Sequence, residues 1–192
     1  MYFHLLNLTY RFSESRWQKA LGRAEQRGYN DGRKMKLLTQ PKNSGWCGLY
    51  SLAMLLDVKP EILIAEIGHD GQKIIFPHKT GDIAKRGFTI SELHDCCMLR
   101  GYSLSLIVCM PAIALNTGEY YSIWEKEYAI TRFHTCIGHH KGLIVGGKLL
   151  KKDSVHCVAW DGKKIYDPHG KIYGLGEGDF AIKDAWLLSK LI

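Results

Sequence analysis

The chain has 192 residues, of which 46% are hydrophobic and 23% are charged, values typical of a globular domain with a core of its own. No run reaches the roughly 18 apolar residues of a membrane helix. The segment Met1–Phe12 has neither the basic region nor the small-residue cleavage site of a secretory signal. We therefore predict a cytoplasmic protein without a membrane span.

The net charge of +7 comes from 26 basic and 19 acidic side chains. The excess is concentrated in residues 11–36, where eight Lys or Arg side chains accompany three acidic ones. Such a segment suits nucleic acid or an acidic partner, but it is equally typical of a solvated helix face. It contains no aromatic-interleaved nucleic-acid motif, so both interpretations stay open.

The N-terminal segment is predicted to be an appendage of the main domain. Residues 1–10 suit a strand or a packed arm, and Ser13 to about Gly28 has apolar side chains on one helical face. We assign residues 1–36 to a basic N-terminal extension with a helix and residues 37–192 to the main domain.

The first half of the main domain is predicted to be mostly helical. In chain order, the patterns predict a short strand at Leu37–Gln40, a buried helix at Trp46–Asp57 with Ser44 as its cap, a helix from Pro60 that Gly68 ends, and a helix that starts at a Thr89–Glu92 capping box.

The last third is predicted to be β structure. The predicted strands are Tyr102–Met110, Gly142–Gly147, Ser154–Trp160, Lys163–Asp167 and Ala181–Leu188. Gly146-Gly147 is interpreted as a turn between strands, and the glycine-rich stretch Gly170–Gly178 as turns. Helices followed by antiparallel strands predict an α+β fold.

Asp161-Gly162 is a strong signal for a two-residue hairpin. Such a turn pairs Trp160 with Lys163, and therefore His156 with Asp167, on one face of the sheet. A carboxylate beside an imidazole fixes its tautomer and leaves the second ring nitrogen able to take a proton. The ordinary alternatives are a core histidine and an Asx-capped turn.

The six cysteines show no disulfide framework, so most are expected to be buried thiols. Cys47 differs because it stands at the boundary between a loop and a helix. A free thiol has a pKa of about 8.5, and a helix N-terminus and a nearby imidazolium both favour the thiolate. The backbone N–H of Cys47 can bind an oxyanion there, and the side-chain amide of Gln40, or of Asn43 instead, can be a second donor.

A metal centre is not predicted. Cys136-x-x-His139-His140 groups only three potential ligands, fewer than the four of a structural zinc site. We predict neither a metal nor a cofactor.

The order Gln40, Cys47-Gly48 at a helix start, His156 in a strand and Asp167-Pro168 resembles the papain-like cysteine peptidases. More narrowly, it resembles the double-glycine leader peptidase domains of bacteriocin exporters. The segments IAEIGHDG and RGFTISELHDCCMLRGYSLSLI are similar to the middle portion of that family, so the resemblance covers roughly residues 37–188. This sequence departs from the family pattern at two positions. Gln40 lies one position further from the cysteine than in the family, and Trp46 replaces a small or acidic residue.

The resemblance implies a papain-like α+β fold with N-terminal helices packed on a C-terminal antiparallel sheet. It also implies a Cys47–His156–Asp167 triad, an oxyanion hole formed by Cys47 and Gln40, and a protein or peptide substrate. The expected reaction is hydrolysis of a peptide or isopeptide bond through a thioester. Trp46 and Gly48 are expected to contact the substrate, and Trp46 with Tyr50 to narrow the cleft so that small residues are preferred.

Other functions fit the same residues. The triad can support peptidoglycan cleavage, deconjugation of a ubiquitin-like modifier or acyl transfer. A non-catalytic basic binding module on a peptidase-like scaffold is the alternative from another class, and a structural protein with buried thiols is a third interpretation.

Overall fold

The computed structural model describes residues 34–108, 112–114, 120–122, 133, 140–148, 156–175, 177 and 180–191. Within these ranges, three α-helices pack on a six-stranded antiparallel sheet, and two short strands pair separately. The predicted α+β class is confirmed. The elements predicted for residues 1–33 lie outside the described ranges.

The secondary structure follows the predicted order of helices and then strands. The helices are α1 (Cys47–Leu56), α2 (Pro60–Ile67) and α3 (Ile90–Met98), with a 3-10 turn at Gly81–Ala84. The strands are β1 (Tyr102–Val108), β2 (Ala112–Ala114), β3 (Tyr120–Ser122), β4 (Gly142–Lys148), β5 (His156–Trp160), β6 (Ile165–Asp167), β7 (Lys171–Tyr173) and β8 (Phe180–Lys190). The large sheet has the order β1-β8-β4-β5-β6-β7. None of the helices found in the described ranges is long and apolar enough to cross a membrane.

Helix α1 is the central helix of the core. Its sequence CGLYSLAMLL has no charged residue, and all residues from Leu49 to Leu55 are buried, as is typical of a helix that is apolar on every side. The Ser51 hydroxyl donates a hydrogen bond of 3.1 Å to the carbonyl of Cys157 in β5. The first residue of α1, Cys47, is therefore held beside the start of β5.

Side-chain hydrogen bonds cap the start of α3 but not the start of α1. At α3, the Glu92 N–H donates to Thr89 Oγ1 at 3.3 Å and the Thr89 N–H donates to Glu92 Oε2 at 2.8 Å, which confirms the capping box. The prediction that Ser44 caps α1 is wrong. Trp46 occupies the N-cap without a side-chain cap bond, and Ser44 Oγ accepts from the Trp46 N–H at 3.4 Å instead.

Three β assignments are corrected by the tertiary hydrogen bonds. Leu37–Gln40 is not a strand, although the Gln40 N–H donates to the carbonyl of Pro168 at 2.8 Å. Gly146 and Gly147 lie within β4 and pair with β8, so they do not form a turn. Part of the glycine-rich stretch forms β7, because the chain folds back after Asp167 and pairs with β6.

The predicted register of the β5–β6 hairpin is wrong by two residues. Trp160 pairs with Ile165, because the connection is a four-residue loop. Asp161 Oδ1 accepts from the N–H groups of Lys163 and Lys164 at 2.8 and 2.7 Å and so closes this loop. Side chains alternate along a strand with a period of two. A shift of two therefore keeps His156 and Asp167 on one face, as diagonal rather than opposite neighbours.

Candidate active site

The carboxylate of Asp167 is the centre of the hydrogen-bond network at the end of β6. Its Oδ1 lies 2.9 Å from Nε2 of His156, the first residue of β5. The same oxygen accepts from the backbone N–H of His169 at 2.8 Å, and Oδ2 accepts from the Tyr173 hydroxyl at 3.1 Å. These three partners come from β5, from the turn after β6 and from β7, so the carboxylate is fixed in one orientation.

These bonds keep Asp167 ionised although it is buried. Burial raises the pKa of a carboxyl group, but the hydrogen bonds from His156, the His169 N–H and the Tyr173 hydroxyl outweigh burial and lower the Asp167 pKa. Asp167 is therefore an anion at neutral pH.

Cys47 is a second neighbour that acts on the His156 imidazole. Its side chain raises the pKa of the imidazole by polar interaction and by charge, whereas Nε2 of the same ring lies at hydrogen-bond distance from Asp167. The structure thus joins two of the three predicted triad residues, His156 and Asp167, by a hydrogen bond and places Cys47 close enough to affect the charge of the ring. The diagonal contact across β5 and β6 replaces the opposed pairing that the sequence predicts.

Two neighbouring groups, Asp167 and Cys47, determine the charge of His156. Burial lowers the pKa of an imidazole, but the hydrogen bond to Asp167 and the polar side chain of Cys47, together with the charges of both groups, raise the His156 pKa to about 9. At neutral pH the ring is therefore the positively charged imidazolium.

Cys47 differs from the other described cysteines in its exposure. Cys96, Cys97 and Cys157 are buried, whereas Cys47 is partly exposed, and none of the four is in a disulfide. Burial raises the pKa of Cys96 and Cys97 to about 12, and it also raises the pKa of Cys157. These three are core thiols, as predicted. The cysteines at positions 109 and 136 lie outside the described residues.

The two candidate oxyanion donors have different surroundings. Gln40 is 6% exposed, and its Nε2 lies 3.2 Å from Nε2 of His169, within the network of Asp167. Asn43 adopts a left-handed conformation, φ 55°. Its Oδ1 is close to Gly81, since a Cβ added to that glycine would lie 3.8 Å from it. In the described chain no hydrogen bond joins either amide to Cys47, so the oxyanion role of Gln40 stays a prediction.

Trp46 and Gly48 have identifiable packing roles. The Trp46 indole N–H donates to the carbonyl of Asp70 at 2.6 Å, and its ring stacks on Tyr50 with centroids 6.0 Å apart. A Cβ added to Gly48 would lie 3.1 Å from Leu93 Cδ1, so the missing side chain lets α1 approach its neighbours closely. Contact of Trp46 and Gly48 with a substrate stays a prediction.

The loop before Cys47 is tied to the segment between α2 and α3, an interaction that the sequence patterns did not reveal. The Gln72 side-chain amide donates to the carbonyl of Ser44 at 2.7 Å, and the Lys85 ammonium donates to the carbonyl of Asn43. Together with the bond from Trp46 to Asp70, these contacts hold the loop at three positions of that segment. The start of α1 is therefore held by side chains as well as by its burial.

His169 is the residue of the site that sequence reasoning missed. Its ring stacks on His156 with centroids 4.4 Å apart and 5° between the planes, and its side chain is 53% exposed. One signal could have found it. With a four-residue loop, Trp160 pairs with Ile165. Each step back along β5 is then one step forward along the returning chain, so position 169 falls opposite His156.

The ligand atoms of His156, Asp167 and His169 lie within 4.8 Å of one another, which raises the question of a metal site. The lone pairs of an imidazole lie in the ring plane, so two rings only 5° from parallel do not direct them at one common point. His156 Nε2 and Asp167 are also already bonded to each other. This arrangement does not fit a metal ion. Two of the candidate ligands at positions 136 and 139 lie outside the described chain, and His140 is exposed.

No family model matches this chain, and neither a curated protein nor a solved structure matches it. What can be inferred about activity therefore depends on the chemistry of the residues. A partly exposed thiol near an imidazole that is hydrogen-bonded to a buried carboxylate is an arrangement that can activate sulfur as a nucleophile.

Proposed function

We propose that the protein is a cysteine peptidase with a papain-like fold. Cys47 is the nucleophile, His156 the general base and acid, and Asp167 the carboxylate that orients His156. The observation that supports this proposal best is the His156–Asp167 hydrogen bond with Cys47 near enough to raise the pKa of the same imidazole. The α+β arrangement of helices on an antiparallel sheet is compatible with it.

The position of Cys47 at the start of α1 supports its role as the nucleophile. The first N–H groups of a helix have no intrahelical acceptor, and they carry a partial positive charge that favours an anion. The protonated His156 adds a full positive charge near the sulfur. Both groups stabilise a thiolate, which is the reactive form of cysteine.

The proposed reaction has two halves. The Cys47 sulfur attacks the carbonyl carbon, and the carbonyl oxygen becomes an oxyanion that the Cys47 N–H and the Gln40 amide stabilise. His156 then gives its proton to the leaving amine, which departs and leaves a thioester. Water, deprotonated by His156, attacks the thioester and regenerates the thiol.

The proposed substrate is a peptide or isopeptide bond in a protein or peptide. The resemblance and the stacked pair of Trp46 and Tyr50 beside Cys47 support a preference for small residues such as glycine before the scissile bond. The peptide carbonyl would lie against the start of α1.

Selective alkylation tests the chemistry without knowledge of the substrate. We expect iodoacetamide to label Cys47 in the folded protein at pH 7 and to label Cys96, Cys97 and Cys157 only after unfolding. Peptide mapping by mass spectrometry measures each site. His156→Gln should slow the labelling of Cys47 by about tenfold or more, because it removes the positive charge beside the sulfur. Labelling of Cys47 only after unfolding would contradict the proposal.

Cleavage itself can be tested with proteome-derived peptides. The wild-type protein should produce new peptide N-termini, and Cys47→Ala should produce none above background while it keeps the same thermal unfolding midpoint. Cys96→Ala is the control, because it also removes a thiol but leaves the triad intact. Undiminished cleavage by Cys47→Ala would refute the assignment of the nucleophile.

A further inference from the structure

The two oxygens of the Asp167 carboxylate have unequal surroundings. Oδ1 lies 2.9 Å from Nε2 of His156 and accepts from the backbone N–H of His169 at 2.8 Å. Among the described residues, the hydroxyl of Tyr173, at 3.1 Å, is the partner of Oδ2. Asp167 is 7% exposed, so solvent offers Oδ2 little replacement for this donor. The surroundings of Oδ2 therefore depend on one side chain.

Strand pairing places Tyr173 diagonally across from Asp167. In the β6–β7 ladder, Asp167 pairs with Lys171 and Ile165 pairs with Tyr173. Side chains alternate along a strand with a period of two, so Asp167 and Tyr173 project from one face of the sheet as diagonal neighbours. Lys171 is exposed, and in the described part of the chain it forms no ion pair with Asp167. The tyrosine hydroxyl, and not the cation that the register places opposite, is therefore the partner that β7 provides.

The Tyr173 side chain is suited to act as a fixed donor. Its ring packs against a buried apolar cluster that includes Trp160 and Ile165. Burial and the neighbouring Asp167 carboxylate raise the pKa of the Tyr173 hydroxyl above its ordinary value of 10. The hydroxyl therefore keeps its proton at neutral pH and remains a donor.

Hydrogen bonds on both oxygens define the plane of a carboxylate. The terminal torsion of an aspartate side chain is broad, so a carboxylate that is bonded through one oxygen alone can rotate about its Cβ–Cγ bond. In this site the His169 N–H bonds to Oδ1 and the Tyr173 hydroxyl bonds to Oδ2. The two bonds together keep the orientation in which Oδ1 faces Nε2 of His156.

We propose that Tyr173 is a positioning residue of the active site, whose hydroxyl holds the Asp167 carboxylate in the orientation that supports His156. The proposal rests on the proposed function, in which Asp167 orients His156. Tyr173 acts through Asp167 and has no direct part in bond making or breaking. Strand β7, which stands at the end of the strand order of the large sheet, is then a part of the active site.

The variant Tyr173→Phe keeps the ring in the apolar cluster and removes the hydroxyl alone. We expect the proton affinity of the Asp167 carboxylate to rise by about tenfold, because the anion loses one hydrogen bond. Titration of the carboxyl carbon by ¹³C NMR measures this change in the folded protein. The other titratable groups near Asp167 (His156, His169 and Lys171) are the same in this variant, so the change reports the lost hydroxyl.

Alkylation of Cys47 by iodoacetamide at pH 7 measures the consequence for the sulfur. Tyr173→Phe should slow it by about threefold or more, a part of the roughly tenfold effect of one hydrogen bond to a charged group, because a carboxylate that rotates supports the His156 imidazolium less. Asp167→Asn should slow it at least as much. The double variant should be no slower than Asp167→Asn, because Tyr173 acts through Asp167. A merely structural role of Tyr173 would instead give losses that add.

Tyr166→Phe is the matched control. It also removes a tyrosine hydroxyl, from the neighbouring strand β6, and the acidic group that acts on this hydroxyl is Asp161 in the hairpin loop. Tyr166 pairs with Ile172 and, by the alternation of side chains, projects from the opposite face to Asp167. It should change neither the proton affinity of Asp167 nor the alkylation rate. Thermal unfolding midpoints confirm that each variant is folded.

Several results would overturn the proposal. An unchanged proton affinity of Asp167 in Tyr173→Phe would exclude the hydrogen bond, and an unchanged or faster alkylation would show that the hydroxyl does not support the productive orientation. Additive losses in the double variant would show that Tyr173 does not act through Asp167. These three results leave the proposed function standing. A wild-type Cys47 that does not react in the folded protein would overturn the proposed function and the role of Tyr173 with it.

Discussion

At the scale of single residues, the charge of His156 results from two opposed effects. Removing an imidazole from water favours its neutral form, whereas the adjacent carboxylate of Asp167 and the nearby side chain of Cys47 favour the cation. The second effect is larger here, and the His156 pKa is about 9. The anion of Asp167 is stabilised in turn by the Tyr173 hydroxyl and the His169 N–H, so the whole network supports the charge on the ring.

The variant Asp167→Asn removes the negative charge but keeps an oxygen that can accept from His156. We expect the His156 pKa to fall from about 9 toward the 6.5 of a free imidazole, because the electrostatic stabilisation of the cation is lost. Titration of the imidazole C–H resonances by NMR measures this change. Asp57→Asn is the matched control, since Asp57 is exposed and asparagine tolerates its left-handed backbone. An unchanged His156 pKa in Asp167→Asn would contradict the assigned network.

At the scale of secondary-structure elements, α1 and α3 are stabilised in different ways. Helix α1 lacks a side-chain cap and depends on the burial of its apolar side chains against the sheet. Helix α3 has a smaller buried face, formed by Leu93, Cys96 and Cys97, and a complete capping box. Local hydrogen bonds therefore matter more for α3 than for the helix that carries Cys47.

The variant Thr89→Ala tests this difference. It removes the hydroxyl that accepts from the Glu92 N–H, and the loss of an N-cap residue typically costs about 1 kcal/mol. We expect the free energy of unfolding, measured by urea denaturation, to fall by about that amount. Ser91→Ala is the control, because Ser91 is exposed in the same turn and outside the capping box. Equal effects of the two substitutions would show that the box adds no stability.

At the scale of the whole molecule, the site joins parts of the chain that are far apart in sequence. Cys47 comes from the start of α1, His156 and Asp167 come from β5 and β6, and Gln40 precedes them all. The segment between α2 and α3 holds the loop before Cys47 through Gln72 and Lys85. The site therefore exists only when the helices have packed on the sheet.

The stability of the fold should depend on pH through this site. The folded His156 pKa of about 9 is above the 6.5 of a free imidazole, so its contribution is fully present below pH 6.5 and is lost as the pH rises through 9. The shift corresponds to about 3 kcal/mol. The Asp167 pKa is lowered from 3.8, so its contribution is present above that value and is lost as the pH falls.

We therefore expect the free energy of unfolding to be highest between about pH 4 and pH 6.5 and to decrease toward pH 9. Urea denaturation at a series of pH values measures this curve. His156→Gln should flatten the decrease between pH 6.5 and 9, whereas the exposed control His78→Gln should leave it unchanged. A stability that is constant from pH 6.5 to 9 in the wild type would contradict the assigned charge of His156.

Short-range patterns in the sequence determined most of the elements. The capping box at Thr89 and the left-handed C-cap at Gly68 depend only on residues within one or two helical turns. The start of α3 and the end of α2 were therefore predictable from the sequence. The apolar run after Cys47 likewise predicted a buried helix. The strand alternation brought His156 and Asp167 to one face, and this conclusion survived an error in the register because a shift of two residues preserves the face.

Only the tertiary structure decided how these elements meet. The hairpin loop has four residues because Asp161 accepts from two backbone N–H groups, an arrangement that the Asp-Gly pair alone does not specify. The contact of Gln40 with His169, and the bonds from Gln72 and Lys85 to the loop before Cys47, join segments that are far apart in the chain. Sequence by itself predicted which groups can do the chemistry, whereas long-range hydrogen bonds, which form only when distant segments pack together, determine where those groups lie.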